Sequence, residues 1–312
     1  MKKTIFSLII TLLITIALMG CGKYKEKEEI KVLAPMGTPA LSQMYIENEK
    51  EAYNYKIDLV QGADPLSAAF VSKSYDIIYA PLNLGAKLYI NNKNYKLLAT
   101  VVDCNYYLVM KSDSDFTLND IKDKEIVIFG QAAMSGIISR YVFTNNGFDL
   151  TNTNIKYVNS VQDSMSEFIA DKNKVVLVSE PQLSNIELKV EGVKALSMKE
   201  EYTKASKESN LPQAAVFVRS DLDKDVAKRY LSHLKDSVNK VNKNVEASAE
   251  LGSSLYSSFT KEVLVNAIPR SEISLVEAQK AKENCTKFFD LLNGFNPNIL
   301  GGNVDDAFYF EG

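Results

Sequence analysis

One histidine, three cysteines and no tryptophan leave this 312-residue chain few groups for covalent chemistry. His233 falls at the edge of the apolar face of an expected helix, which suits a boundary residue better than a general base. There is no GxSxG, HExxH, SxxK or Walker loop, and no paired Cys and His. Cys104 and Cys285 are 181 positions apart without metal-ligand spacing, so two separately buried thiols are expected. No catalytic residue, metal site or cofactor is expected, and the reading is "not an enzyme". Catalysis by carboxylates alone stays open, because several Asp and Glu residues are free to pair.

Binding chemistry is better supplied. In open α/β sheets ligands sit beyond the carboxyl ends of the strands, so the loops there are the informative residues. Met36, Gly37 and Thr38 form one such loop, Asn83 follows another, and Gln131, Ser135 and Gly136 belong to a third, GQAAMSG over 130–136. Small residues let backbone approach a solute, and the helices that follow offer unpaired N–H groups. Taken singly, each glycine serves a turn at least as readily. Glu180 ends an apolar strand before a proline, where its carboxylate meets either an amine or plain solvent. Tyr79 and Tyr106 offer flat faces for stacking, or core packing. Asn105, Tyr106 and Gln213 fall near the expected junction of the two halves. The chain has four arginines, Arg140, Arg219, Arg229 and Arg270, so a bidentate anion site has few candidates. Arg140 reads as a surface charge.

The elements that must position these residues alternate. Strands are expected over 30–34, 55–60, 75–79, 97–102 and 106–110, with helices over 40–49 and 66–72, the latter capped by Asp64 and opened by Pro65. A second series follows: a helical turn at 117–120, strands over 125–129, 155–158 and 174–179, a helix over 137–145 stopped by Gly147, and another opened by a capping box at 164–167. A further strand covers 214–218. The tail is helical. A helix over 223–242 puts Val226, Tyr230, Leu231, Leu234, Val238 and Val241 on one face, and a second follows a capping box at 274–277. Strand–helix alternation implies α/β sheets, and its repetition implies two lobes. The tail is expected to return to the first lobe, with crossings near 104–107 and 213–216.

Composition agrees. With 46% hydrophobic and 24% charged residues the chain is globular, and a net charge of −3 leaves no basic field for nucleic acid. The exception is the N-terminus. Lys2 and Lys3 precede a 15-residue apolar run over 5–19, too short to span a bilayer and right for a signal peptide. Leu18-Met19-Gly20-Cys21 resembles a bacterial lipobox, which implies cleavage after residue 20 and acylation of Cys21, palmitate included. Residues 22–29 then read as a charged tether.

The layout resembles the substrate-binding lipoproteins of ABC importers, in the NMT1/THI5-like (nitrate/sulfonate/taurine and pyrimidine-precursor) group. The residues that carry this are VLAPMGTPA over 32–40, YDIIYAP over 75–81, GQAAMSG over 130–136, VSEP over 178–181 and LPQAAVFV over 211–218. The resemblance implies a two-lobed, type 2 periplasmic-binding-protein-like α/β fold, each lobe a mixed, mainly parallel sheet flanked by helices, with the ligand cleft between them. It implies a signal peptide over 1–20, a lipid-anchored linker over 21–29, lobe one from 30–105 with 217–312, and lobe two from 106–216. It implies a monomer tethered to the extracytoplasmic face of the membrane, with a small-molecule solute and an ABC permease as partners. The cysteine-rich motif and substrate histidine of the related biosynthetic enzymes are missing. An enzyme of that branch and a surface interaction lipoprotein are the alternatives.

Overall fold

The computed structural model describes residues 29–312. The expected signal peptide, Cys21 and all but the last residue of the tether lie outside the described residues.

Two mixed sheets form the molecule. Strands β1 (Ile30–Pro35), β2 (Tyr55–Val60), β3 (Ile77–Pro81), β4 (Tyr95–Asp103), β10 (Pro212–Arg219) and β11 (Ile273–Glu277) build a six-stranded sheet in the order β11-β4-β10-β3-β1-β2. Strands β5 (Tyr106–Lys111), β6 (Ile126–Phe129), β7 (Ile155–Val158), β8 (Val175–Ser179) and β9 (Val193–Ser197) build a five-stranded sheet in the order β7-β6-β8-β5-β9. Both sheets are mixed but mainly parallel, as expected: four of six strands in the first and four of five in the second run in one direction. In the first, β1 pairs parallel with β2 and β3, while β10 and β11 enter antiparallel. In the second, β6 pairs parallel with β7 and β8, while β5 joins β8 and β9 antiparallel. Of the strands that run against their sheets, β5 and β10 each adjoin a connection between the two sheets. A chain that leaves one sheet and enters the other directly needs no helical crossover, and only parallel neighbours require one.

The buried strands are continuous apolar runs because both faces are covered. One core cluster joins the two sheets, with Leu33, Ile78 and Phe217 from the first, Leu108, Ile126 and Leu177 from the second, and Phe288 and Leu292 from the helix Ala278–Phe295. The opposite face of the first sheet packs on the helix Lys224–Lys243, which buries Tyr230, Leu234, Val238 and Val241 as its apolar stripe anticipates. Val226 and Leu231 are only half-buried. Helices Val161–Ala170 and Gln182–Lys189 cover the outer face of the second sheet.

Several expected boundaries move. The capping box of the helix Val161–Ala170 is Ser160 with Asp163, not Ser164 with Glu167, because the same spacing recurs one turn earlier. Residues 274–277 are strand β11 rather than a capping box, since their backbone pairs with β4. The helix Asp64–Ser72 starts at Asp64 itself, with no side-chain cap. The helix expected over 40–49 is broken into Thr38–Ser42 and Met44–Asn48. The return crossing precedes Pro212, because residues 213–216 already pair with β3 and β4 in β10. Helices Leu82–Asn92, Met198–Ser206, Val245–Leu255 and Lys261–Ala267, and strand β9, had no sequence signal. In Leu82–Asn92 the helix is disguised by Gly85, where a Cβ would lie 2.1 Å from the Phe217 ring.

Candidate functional site

Asn105 is the centre of the junction. It is fully buried between β4 and β5, where the chain first passes from one sheet to the other. Its side-chain amide donates to Thr38 Oγ1 at 2.8 Å and to the carbonyl of Ser271 at 3.2 Å. Gln213 answers it twice: Gln213 Oε1 accepts from the Asn105 backbone N–H at 3.0 Å, and Gln213 Nε2 donates to Asn105 Oδ1 at 2.9 Å. Thr38 Oγ1 in turn donates to the Glu180 carbonyl at 3.0 Å. Thr38, Asn105, Gln213 and Glu180, read separately from sequence, therefore form one buried network that joins the helix Thr38–Ser42, the first crossing, β10 and the end of β8. Buried networks of this kind hold geometry tightly because each unmade bond is costly there.

Asp103 ties the crossings from the other side. Its Oδ1 accepts from the N–H of Cys104 and of Leu211, each at 2.8 Å, so one carboxylate binds both connecting segments. Lys199 lies 3.0 Å from Asp103 Oδ2 and 2.6 Å from Glu272.

Glu180 ends β8 and precedes a cis proline, Pro181. Its side chain has no exposure. Oε2 accepts from the Ser184 N–H at 3.2 Å and from Ser184 Oγ at 2.9 Å. Arg270 Nε stands 2.8 Å from Oε1, an ion-pair distance at which the N–H is not aligned for a hydrogen bond. Burial pushes the Glu180 carboxyl up to about 7, against the lowering effects of Arg270 and the Ser184 donors. The acid is thus engaged by protein groups on both oxygens.

The loop over 130–136 is shaped by its own residues. Ser135 Oγ donates to the Phe129 carbonyl at 2.6 Å, and a Cβ on Gly136 would lie 2.5 Å from the Gly130 carbonyl oxygen. Arg140 Nη1 donates to the Gln131 carbonyl at 2.6 Å, so Arg140 clamps the loop, while the Gln131 side chain is exposed. Tyr106 is buried with its ring edge-on to Phe129 at 5.8 Å. Gly37, at φ 114°, has open space where a Cβ would point, and Met36 packs on the core between the first sheet and the helix Lys224–Lys243. Asn83 is 6% exposed in the first turn of Leu82–Asn92, and its Oδ1 is buried without a partner.

Tyr79 is not brought to this group. It is fully buried with its hydroxyl 2.8 Å from that of Tyr230, so its ring belongs to the core. His233 stacks on Tyr53 at 4.0 Å and bonds the Tyr55 hydroxyl. Cys104 and Cys285 are free and buried, and burial pushes both thiols up to about 12. Among the described residues, no group of three or more His, Cys, Asp or Glu is placed to hold a metal ion. Sequence reasoning missed Arg270, Ser184, Glu187 and Asp103. The scarcity of arginine was the one available signal, and it named four candidates without a position.

No family model matches the chain. No curated protein matches it either. Solved structures do. An ABC transporter protein from Parabacteroides distasonis superposes with a TM-score of 0.75 at 20% identity, over 91% of this chain and 99% of that one. The periplasmic aliphatic sulphonate-binding protein of Escherichia coli gives 0.69 at 13% identity, over 91% and 92%. A Candida albicans protein described as exhibiting the generic periplasmic binding protein fold gives 0.58 at 15% identity, over 90% and 93%. At these identities the likeness is one of fold. Two mixed sheets joined by a pair of short crossings give the chain the fold of the periplasmic binding proteins.

Proposed function

We propose that the chain is the extracytoplasmic solute-binding lipoprotein of an ABC importer. It captures a small polar solute by hinge closure and delivers it to a permease. The observation that carries this reading is the buried network of Thr38, Asn105, Gln213 and Glu180, which links both sheets at the first crossing. Two sheets tied at such a point supply the arrangement that hinge closure needs. The fold neighbours support the same class, since one is an ABC transporter protein and another binds aliphatic sulphonates. Lobe one is taken as 30–105 with the C-terminal part, and lobe two as the intervening segment, with acylation at Cys21 as the anchor.

The solute sits over the loop backbones, with Gly37 and Gln131 as the side most open to it and the unpartnered Asn83 Oδ1 beneath. Thr38, Asn105, Gln213, Ser135 and Glu180 hold the frame. Met36, Tyr106 and Gly136 shape its walls. Because Glu180 is already paired, a solute amine does not need that carboxylate. Calorimetric melting of the full chain in detergent, against a panel of amino acids, nucleobases, alkanesulfonates and nitrate, tests the reading. One chemical class should raise the melting temperature by several degrees, as ligand linkage requires. A panel with no such class would count against solute capture.

A further inference from the structure

Arg270 ends the short helix Ile268–Arg270 just before β11, so it belongs to the six-stranded side. Its partners belong to the other side. Nη1 and Nη2 donate to the two carboxylate oxygens of Glu187 at 3.1 and 2.6 Å, Nη2 donates to Ser184 Oγ at 2.8 Å, and Nε faces Glu180. Ser184 and Glu187 lie on the helix Gln182–Lys189, against which the helix Lys261–Ala267 packs. A bidentate guanidinium–carboxylate pair fixes orientation as well as charge. The layers differ in exposure: Arg270 and Glu187 side chains are 35% and 34% exposed, and Glu180 beneath them is 0%.

We propose that Arg270 is a latch between the two lobes, holding them closed by gripping Glu187 and covering Glu180, and that closure carries a proton onto Glu180. The proposal rests on the solute-binding reading and adds its regulation. The groups facing Glu180 are Arg270 from the short helix, Ser184 and Glu187 from Gln182–Lys189, and Tyr107 from β5. Opening withdraws Arg270 with the helix before it and hydrates the carboxylate. Burial holds the closed-state carboxyl up to about 7, whereas a hydrated glutamate titrates near 4.3. The closed form therefore binds the proton more tightly. Closure gains fully below about pH 4, and the gain is lost as pH rises through 7. Between pH 8.5 and pH 5.5 the closed-to-open ratio should rise on the order of 30-fold.

The test is pulsed electron resonance on the full chain in detergent, without added solute. Spin labels go on Ala68→Cys and Ser166→Cys, which are exposed positions on the two sides. A Cys21→Ser background removes that thiol, and Cys104 and Cys285 are buried. The short-distance population should grow from pH 8.5 to 5.5. Glu180→Gln should hold it constant across that range. Glu187→Gln and Arg270→Lys should lower it at both pH values. A distribution indifferent to Glu187→Gln and Arg270→Lys overturns the latch, and a pH response that persists in Glu180→Gln overturns the proton coupling. If Arg270→Lys fails to fold, the half-exposed Glu187→Gln carries the comparison alone. Failure here leaves calorimetric solute binding untouched, and absence of a solute leaves this ligand-free distance measurable.

Discussion

Asn105 and Asn83 show how far two asparagines can differ. Asn105 satisfies Thr38, Ser271 and Gln213 in a dry junction. Asn83 is nearly as buried, yet its Oδ1 has no partner. Removing Asn105 strands several buried groups, so Asn105→Ala should cost about 3 kcal/mol in denaturant unfolding. Asn83→Ala loses no hydrogen bond and should change stability by less than about 1 kcal/mol, while weakening solute capture in the calorimetric panel. Equal destabilisation by the two variants would contradict this division between frame and contact. The sequence marked Asn83 by its place after a strand and Asn105 by the expected junction of the two halves, and could not tell frame from contact. Partner satisfaction depends on Ser271 and Gln213, more than a hundred positions away. Glu180 was legible in the same limited way. Its position at a strand end was read correctly, but its partner Arg270, ninety residues on, was not.

At the scale of elements, strands were the most readable. β1, β2 and β7 fall within a residue of their expected limits because apolar runs bounded by breakers leave little choice. Short helices were missed where local signals conflict, as with Gly85 in Leu82–Asn92. The capping box of Val161–Ala170 was placed one turn late because two serines satisfy the same pattern. The loop over 130–136 depends on close backbone approach, which only a coordinate set reveals. Gly136→Ala would push a methyl against the Gly130 carbonyl oxygen and should cost about 2 kcal/mol. Gly147→Ala meets open space, and its penalty, about 1 kcal/mol, comes only from the left-handed backbone at φ 74°. Thermal melts of the two variants check the order, and a smaller loss for Gly136→Ala would show that the loop yields.

The whole molecule, on the proposed reading, combines a tethered start with a two-sheet body. On the proposed reading, Cys21→Ser should move most of the chain from a lipid-modified form to an unacylated one, visible as the loss of a diacylglycerol-sized mass. An unchanged mass in the wild-type and variant chains would remove the anchor from the account. Duplicated strand–helix order in the sequence was enough to expect two lobes. Mixed sheets were expected, but which strands run against the rest was not readable from the sequence. Asp103 joins the two crossings through Cys104 and Leu211, and on the proposed reading one lobe turns against the other about this point. The most direct measurement is the distance between labels at Ala68→Cys and Ser166→Cys, with and without the solute that most raises the melting temperature. Hinge closure predicts a shorter, narrower distribution on binding. An unchanged distribution in the presence of saturating solute would contradict it.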